Sequence, residues 1–410
     1  MNNTERKLEG LSDAQSAPTG EVVRQFESDV FDRRVWNVFG LPIDLLTVAA
    51  AANKIEQSAQ TGAPCRFVTP NVNWLCMAQG DDAMRGEIVD YDLSLADGSP
   101  IVWLAKLLGA PISERCAGSD LFDALRNRAA VPGRQLRVFF FGGRDGAAEA
   151  AHHKLNAEKG GVVSTGWINP GFGSVDEMSR SEIIDAINAA DADFIVVALG
   201  GEKGHAWIAK NKDALNAPVI SHLGAVVDFA AGTIKRAPAW MSRLGLEWCW
   251  RIAQEPSLWR RYARDGKQIL KLMFGQLLPA LMLNQRATGE APQVAIDISQ
   301  AETRITLSGD LLFNELGSIR KAFREAATRG QDVRLDFAGV GAMDGGFLGL
   351  VTILERRLAL SGARLRAHHR TERQHRMMAL NGVDLEDAAV SVDAASDSIG
   401  DIASASLSRA

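Results

Sequence analysis

The sequence predicts an α/β fold, with a large domain built on a mainly parallel sheet and a second, smaller α/β unit behind it. Three observations predict it. Between about Phe31 and Ile234, apolar runs that read as strands buried on both faces alternate with segments whose apolar residues recur at helical spacing. A polar stretch, RATGEAPQ (286–293), then interrupts the pattern, and the same alternation restarts over 294–395. The 410 residues, 46 % hydrophobic and 23 % charged, have ordinary globular composition and suffice for two or three domains.

In chain order, residues 1–28 are polar and aperiodic and are expected to form a disordered tail. Over 29–234 the strand candidates are CRFVTPNVNWL, RQLRVFFFGG, GGVVSTGW, ADFIVVALGG and APVISHLGAVVDF, with helices at GAAEAAHHKLNAEKG and SRSEIIDAINAAD. Residues 235–285 differ in kind. Lys235–Arg261 holds four of the nine tryptophans, and Lys235–Lys271 carries nine Lys or Arg against three acidic residues, in a chain of net charge −5. Indole and guanidinium together suit a boundary, where an apolar body and a charged tip are both satisfied. The apolar run QILKLMFGQLLPALMLN (268–284) is too short for a bilayer and is interrupted by Pro279, so it is expected to be interfacial or core-docked. After the linker at 286–293 come a strand at RITLSGDL, a helix through Leu316–Ala327, a strand at DVRLDFAGV, a helix over Phe347–Leu360 and a strand at ARLRAHH. Residues 396–410 are expected to fray.

Composition excludes several classes. Cys65, Cys76, Cys116 and Cys249 form no CxxC pair, so reduced thiols are expected rather than zinc or a disulfide framework. The amino terminus has no apolar core of a secretory signal, and mild acidity argues against a nucleic-acid binder. No His/Asp cluster at ligand spacing stands out in the sequence, so metal-independent chemistry and no cofactor are expected. His152–His153 read as solvated, and His222 as a satisfied polar group at a strand end.

Two strand–Gly–helix junctions, Gly142–Gly143 with Gly146 and Gly200–Gly201 with Gly204, let the backbone turn sharply and bring helix amides toward an anion such as a phosphate. Thr69, Asn71 and Asp97 sit at or just beyond strand ends. An Asp-Gly pair is by itself a turn; Asp97 becomes a base only in a cleft within reach of a hydroxyl. In ERCAGSDL, Ser119 or Asp120 reads as the cap of the following helix.

Taken together, the motifs resemble the WecG/TagA/CpsF family of bacterial glycosyltransferases over roughly residues 35–265. They are T-x-N at Thr69–Asn71, Asp97–Gly98, R-x-x-G-S-D-L at Arg115–Leu121, Gly142–Gly143, F-x-A-G-x-x-x-R-A-P at Phe229–Pro238 and L-E-W-x-x-R-x-x-x-E-P at Leu246–Pro256. The resemblance implies a Rossmann-like domain that transfers, with inversion, a hexose or N-acetylhexosamine-type sugar. The donor would be a UDP-sugar and the acceptor a polyprenyl-diphosphate-linked sugar, in surface polysaccharide or wall polymer synthesis. Asp97 would be the general base, with Thr69 and Asn71 lining the pocket and Arg115 near the diphosphate. Gly118, Ser119, Asp120, Gly142, Gly143, Gly200, Lys203 and His205 would face the donor. The basic stretch would be an appendage completing the site at the membrane, with Arg236, Arg251, Arg260, Arg261 and Arg264 meeting the lipid diphosphate or headgroups. The protein would then sit in the cytoplasm, peripherally on the inner face of the membrane.

Two positions depart from the family pattern. Glu202-Lys203-Gly204-His205 stands where the family usually reads P-K-Q-E, and Leu258 where it commonly has a basic residue. The carboxy-terminal unit resembles a STAS domain, in which a phosphorylatable Ser often follows the position of Asp344; here Gly345 and Gly346 follow, so protein docking without a phospho-switch is expected. The alternatives are a degenerate transferase that senses UDP-sugar or lipid and signals through the STAS-like unit, and a nucleotide-dependent oxidoreductase. The latter lacks a full G-x-G-x-x-G with its acidic partner.

Overall fold

A computed structural model describes residues 30–388 apart from 132, 235–236, 239, 242–245 and 284–285. The two expected tails and Arg236 therefore lie outside the described residues, as does the side chain of Arg261.

The large domain is built on six strands: β3 (Cys65–Val68), β4 (Leu93–Ser94), β5 (Leu136–Gly142), β6 (Val162–Ile168), β7 (Phe194–Ala198) and β8 (Val219–His222). They lie in the order β4-β3-β8-β7-β5-β6, and every pair is parallel. Successive side chains alternate between two cores. Phe139, Phe141, Ile195, Val197 and Ile220 fill one face; Val138, Phe140, Phe194, Val196 and Val219 fill the other. That double burial is why the strands read as unbroken apolar runs. The connecting helices are α1 (Val48–Thr61), α2 (Val72–Ala78), α3 (Asp82–Val89), α4 (Ser99–Leu107), α5 (Gly118–Arg126), α6 (Ala147–Ala157), α7 (Ser181–Ala189), α8 (Gly201–Asn211) and α9 (Gly224–Ala231).

Two expected strands end sooner than their apolar runs. Asn71 accepts from the Trp74 amide at 3.3 Å and opens α2, so only the start of CRFVTPNVNWL is strand. After His222 the chain likewise enters α9. The expected capping by Ser119 or Asp120 is corrected: the cap position of α5 is Ala117, and both residues lie inside the first turn. His152 is not simply solvated, since its ring lies 4.6 Å from that of Trp167 and its Nδ1 2.8 Å from Ser164 Oγ.

A hairpin of β1 (Val35–Val38) and β2 (Leu41–Asp44), which the sequence did not announce, precedes the sheet, and all its residues are buried. Behind the domain come α10 (Glu247–Gln254) and α11 (Trp259–Leu272), a π-helical turn at Met273–Leu277 and α12 (Leu278–Leu283). Leu272 and Leu277 enter the main core, while Leu270, Phe274, Leu278 and Met282 stay exposed. The apolar run is thus core-docked on one side and open on the other. Among the described residues no helix is long and apolar enough to cross a membrane.

The carboxy-terminal unit comprises β9 (Gln293–Ile298), β10 (Thr303–Leu311), α13 (Gly317–Arg329), β11 (Val333–Met343), α14 (Gly345–Leu360), β12 (Leu365–His368), α15 (Glu372–Leu380) and β13 (Glu386–Asp387). Its sheet runs β13-β12-β11-β10-β9, parallel except for the β9 edge.

Candidate active site

In a parallel sheet the helices that follow the strands begin at one common edge, and that edge holds the candidate site. Thr69 and Asn71 follow β3, Asp97 follows β4, Gly142–Gly143 end β5 and Gly200 follows β7. The amino termini of α5, α6, α8 and α9 begin at this edge without a side-chain cap, so their positive ends face it. Gly118 brings α5 close to the end of β8: a Cβ there would lie 2.4 Å from Leu223 Cδ2 and 3.5 Å from Thr69 Oγ1. Gly142, at φ +93°, could carry no Cβ, which would meet the Ala198 carbonyl oxygen at 2.7 Å.

Asp97 is held by its own amide, which donates to the Pro70 carbonyl at 3.0 Å, and by Gly98, whose φ of +97° turns the chain into α4. Burial pushes its carboxyl up to about 7; Arg115 and Arg251 oppose the shift, while Glu247 and Asp120 add to it. Arg115 donates to Asp120 at 2.6 Å and to Glu247 at 2.5 Å. Burial alone would lower its pKa, but the two carboxylates outweigh that and keep it firmly charged.

The L-E-W-x-x-R-x-x-x-E-P motif has a geometric reason. Glu247 and Arg251 lie four residues apart and so share one face of α10, and Glu255, four further on, is the residue just past its end. Each answers a charge at the crevice. Glu247 meets Arg115, and Glu255 meets Arg144, whose Nη2 is 3.4 Å away. Arg251 lies close enough to Asp97 and Asp228 to favour the ionised form of both. Asp228 is raised by burial against the pull of Arg144 and Arg251, and its Oδ1 is buried without a hydrogen-bond partner. Arg144, Asp228, Glu247 and Glu255 were not singled out individually from the sequence. The four-residue spacing was the available signal for the two glutamates.

Other expected residues have partners within the protein. Lys203 Nζ donates to the Gly173 carbonyl at 2.6 Å, clasping the loop after β6. His205, expected to face the donor, has a buried ring whose Nδ1 is 2.6 Å from the Tyr91 hydroxyl and whose centre is 4.5 Å from that of the Trp74 ring. Burial holds it neutral, its pKa lowered to about 3. His222, expected to be satisfied, has a buried Nε2 with no partner, and burial lowers it to about 4. It lies against Gly204, where a Cβ would come 2.2 Å from its Cδ2, so the missing side chain at 204 makes room for this ring. Arg260 and Arg264 are exposed on α11, Arg260 lying 5.8 Å from the Trp259 ring.

A buried carboxylate beside charged guanidinium groups, at the sheet edge where uncapped helices begin, is an arrangement for group transfer with an anionic leaving group. Comparison with known proteins makes this specific. Residues 36–281 match the glycosyl transferase WecG/TagA/CpsF family, and the chain belongs to that family: it is a glycosyltransferase. Residues 294–386 match a STAS domain of the Mlab type. An N-acetylglucosaminyldiphosphoundecaprenol N-acetyl-beta-D-mannosaminyltransferase of Bacillus spizizenii is 32 % identical over 182 residues, covering 44 % of this chain and 68 % of the relative. The protein of the same description in Bacillus subtilis (strain 168) is 28 % identical over 179 residues, 44 % of this chain and 67 % of the relative. Among solved structures, the murine Solute Carrier 26 family member A9 anion transporter aligns with 45 % of this chain and 35 % of its own at 11 % identity. Its TM-score of 0.20 lends no weight to any reading of this chain.

Proposed function

We propose that this glycosyltransferase moves a hexose or N-acetylhexosamine-type sugar from a UDP donor to a sugar carried on a polyprenyl diphosphate, with inversion, at the inner surface of the membrane. The observation that carries the reading is the seating of α10 and the residue that follows it, from the basic appendage, on Arg115 and Arg144, with Arg251 near the carboxyls of Asp97 and Asp228. The names of the Bacillus relatives support the lipid-linked acceptor.

In this reading Asp97 takes the proton of the acceptor hydroxyl as its oxygen attacks the anomeric carbon. The bond from that carbon to the diphosphate oxygen breaks, and UDP leaves with the electron pair. A carboxylate near 7 suits the task, being ionised in about half the molecules at neutral pH yet basic enough to accept a proton. The departing charge is met by Arg115 or Arg144 and by the positive amino-terminal ends of α5, α6 and α8, so the step asks for no metal. The exposed Trp259, Phe274 and Met282, with Arg260, Arg264 and Lys267, form a mixed apolar and basic surface suited to anionic headgroups.

The test is UDP release by the full chain with liposomes carrying a polyprenyl-diphosphate sugar, across a panel of UDP-sugars. Acceptor-dependent UDP from one donor is expected. Binding of UDP-sugars without turnover by any of them would favour the degenerate sensor instead.

A further inference from the structure

The β1–β2 hairpin is a two-stranded ribbon with no exposed residue, because different parts of the chain cover it on either side. On one side lies the STAS unit. A Cβ on Gly345 would come 2.2 Å from Trp36 Nε1, and one on Gly349 2.9 Å from Val35 Cγ2, so the start of α14 is shaped to the hairpin. Asn37 donates to the Asn381 carbonyl at 2.6 Å, and Arg320 donates to the Arg33 carbonyl at 2.7 Å. Outside the hairpin, Arg356 grips Asp90 with two bonds of 2.8 and 2.5 Å.

On the other side lie the elements that flank the candidate site. Arg33 and Asp44 form a buried pair at 2.7 Å; the Ser94 amide donates to Asp44 at 2.7 Å, and Arg33 donates to the Tyr91 carbonyl at 3.0 Å. Ser94 ends β4, three residues before Asp97. Trp36, Val38 and Phe39 share a core with Ile101 and Leu104 of α4, the helix that begins two residues after Asp97. Both elements that bracket Asp97 therefore rest on the hairpin, and the hairpin rests on the STAS unit.

We propose that the STAS unit is a built-in positioning element for the transferase site, gripping the hairpin through the glycine face of α14 and so fixing the two elements that bracket Asp97. Its principal partner is this chain's own hairpin, and a foreign ligand at the start of α14 would have to displace Trp36. The inference rests on the reading of Asp97 as the base, but one arm of its test does not.

Full-length Gly349→Ala, which drives a methyl into Val35, is compared with Val35→Ala/Gly349→Ala, which gives the methyl room. Two quantities are read: amide hydrogen exchange over 35–44 and 93–98, and the acid limb of the pH profile for UDP release. In Gly349→Ala, exchange in both segments should quicken at least tenfold and the acid limb should move to lower pH as water reaches Asp97. The double variant should restore both. A chain that merely folds less well would lose amplitude without moving the limb. Faster exchange confined to 35–44, or failure of the double variant to restore 93–98, overturns the proposal. If wild type turns over no donor, the reading of Asp97 as base falls, while the exchange comparison still decides the positioning role.

Discussion

Arg115 and Glu247, 132 positions apart in the chain, meet at 2.5 Å at the edge of the crevice. The contact joins the transferase domain to its basic appendage and adjusts the carboxylate beside it. Arg115 favours the ionised form of Asp97 and Glu247 disfavours it. Glu247→Gln should therefore move the acid limb of kcat/KM to lower pH, since one opposing charge disappears and Arg115 loses a competing partner. A double-mutant cycle with Arg115→Gln should give a coupling of about 1–2 kcal/mol, as expected for a partly buried charge pair. A coupling near zero would mean that the appendage is seated by other contacts.

On the proposed mechanism Asp97 sets the pH dependence. Its pKa is raised to about 7, so the working carboxylate is lost as pH falls below that value. Initial rates under kcat/KM conditions should fall about tenfold per pH unit below the limb. Asp97→Asn should lower kcat by roughly two to four orders of magnitude while leaving UDP-sugar binding within a few-fold, as for loss of a general base. Titration calorimetry with UDP separates the two quantities. A parallel loss of binding and turnover would reassign Asp97 to holding the donor.

Much of this was legible in the sequence, for a physical reason. Strands such as Phe194–Ala198 are buried on both faces and so are apolar throughout, which marks a parallel sheet without any alignment. The hairpin was not legible: Trp36-Asn37-Val38 owes its burial to α14 and α4, contacts that no local pattern announces. The seven-residue α2 is too short to display a helical period, although Asn71 was there as a cap. Asp97 could be named because it lies in a motif. Asp228 and Arg144 acquire meaning only when α9 and the turn before α6 bring them together at 3.7 Å.

The departure at Gly204 is a matter of packing with His222. A methyl at 204 would sit 2.2 Å from His222 Cδ2 and 2.9 Å from Nε2. Gly204→Ala should lower stability by about 1–3 kcal/mol, the range for overpacking a filled site. His222→Ala/Gly204→Ala should recover part of that loss in denaturant unfolding. If the double variant is no better than the single one, the ring is not what the glycine accommodates.

The exposed face of α11 and α12 makes the last prediction. Arg264, Lys267 and Lys271 are exposed there, and Leu270, Phe274 and Met282 are exposed near them, 55 %, 67 % and 82 % accessible. Neither half suffices alone: the bases need anionic headgroups, and the apolar groups need a surface to enter. Each neutralised base should weaken binding to anionic vesicles by about 1 kcal/mol, roughly fivefold, with the effect shrinking as salt rises. Phe274→Ala removes apolar burial instead, so its loss should persist at high salt. Vesicle sedimentation at two salt concentrations separates the two terms. If Lys267→Gln and Phe274→Ala leave sedimentation unchanged, this face is not the membrane contact, and the proposed lipid-linked acceptor would have to be met elsewhere on the protein.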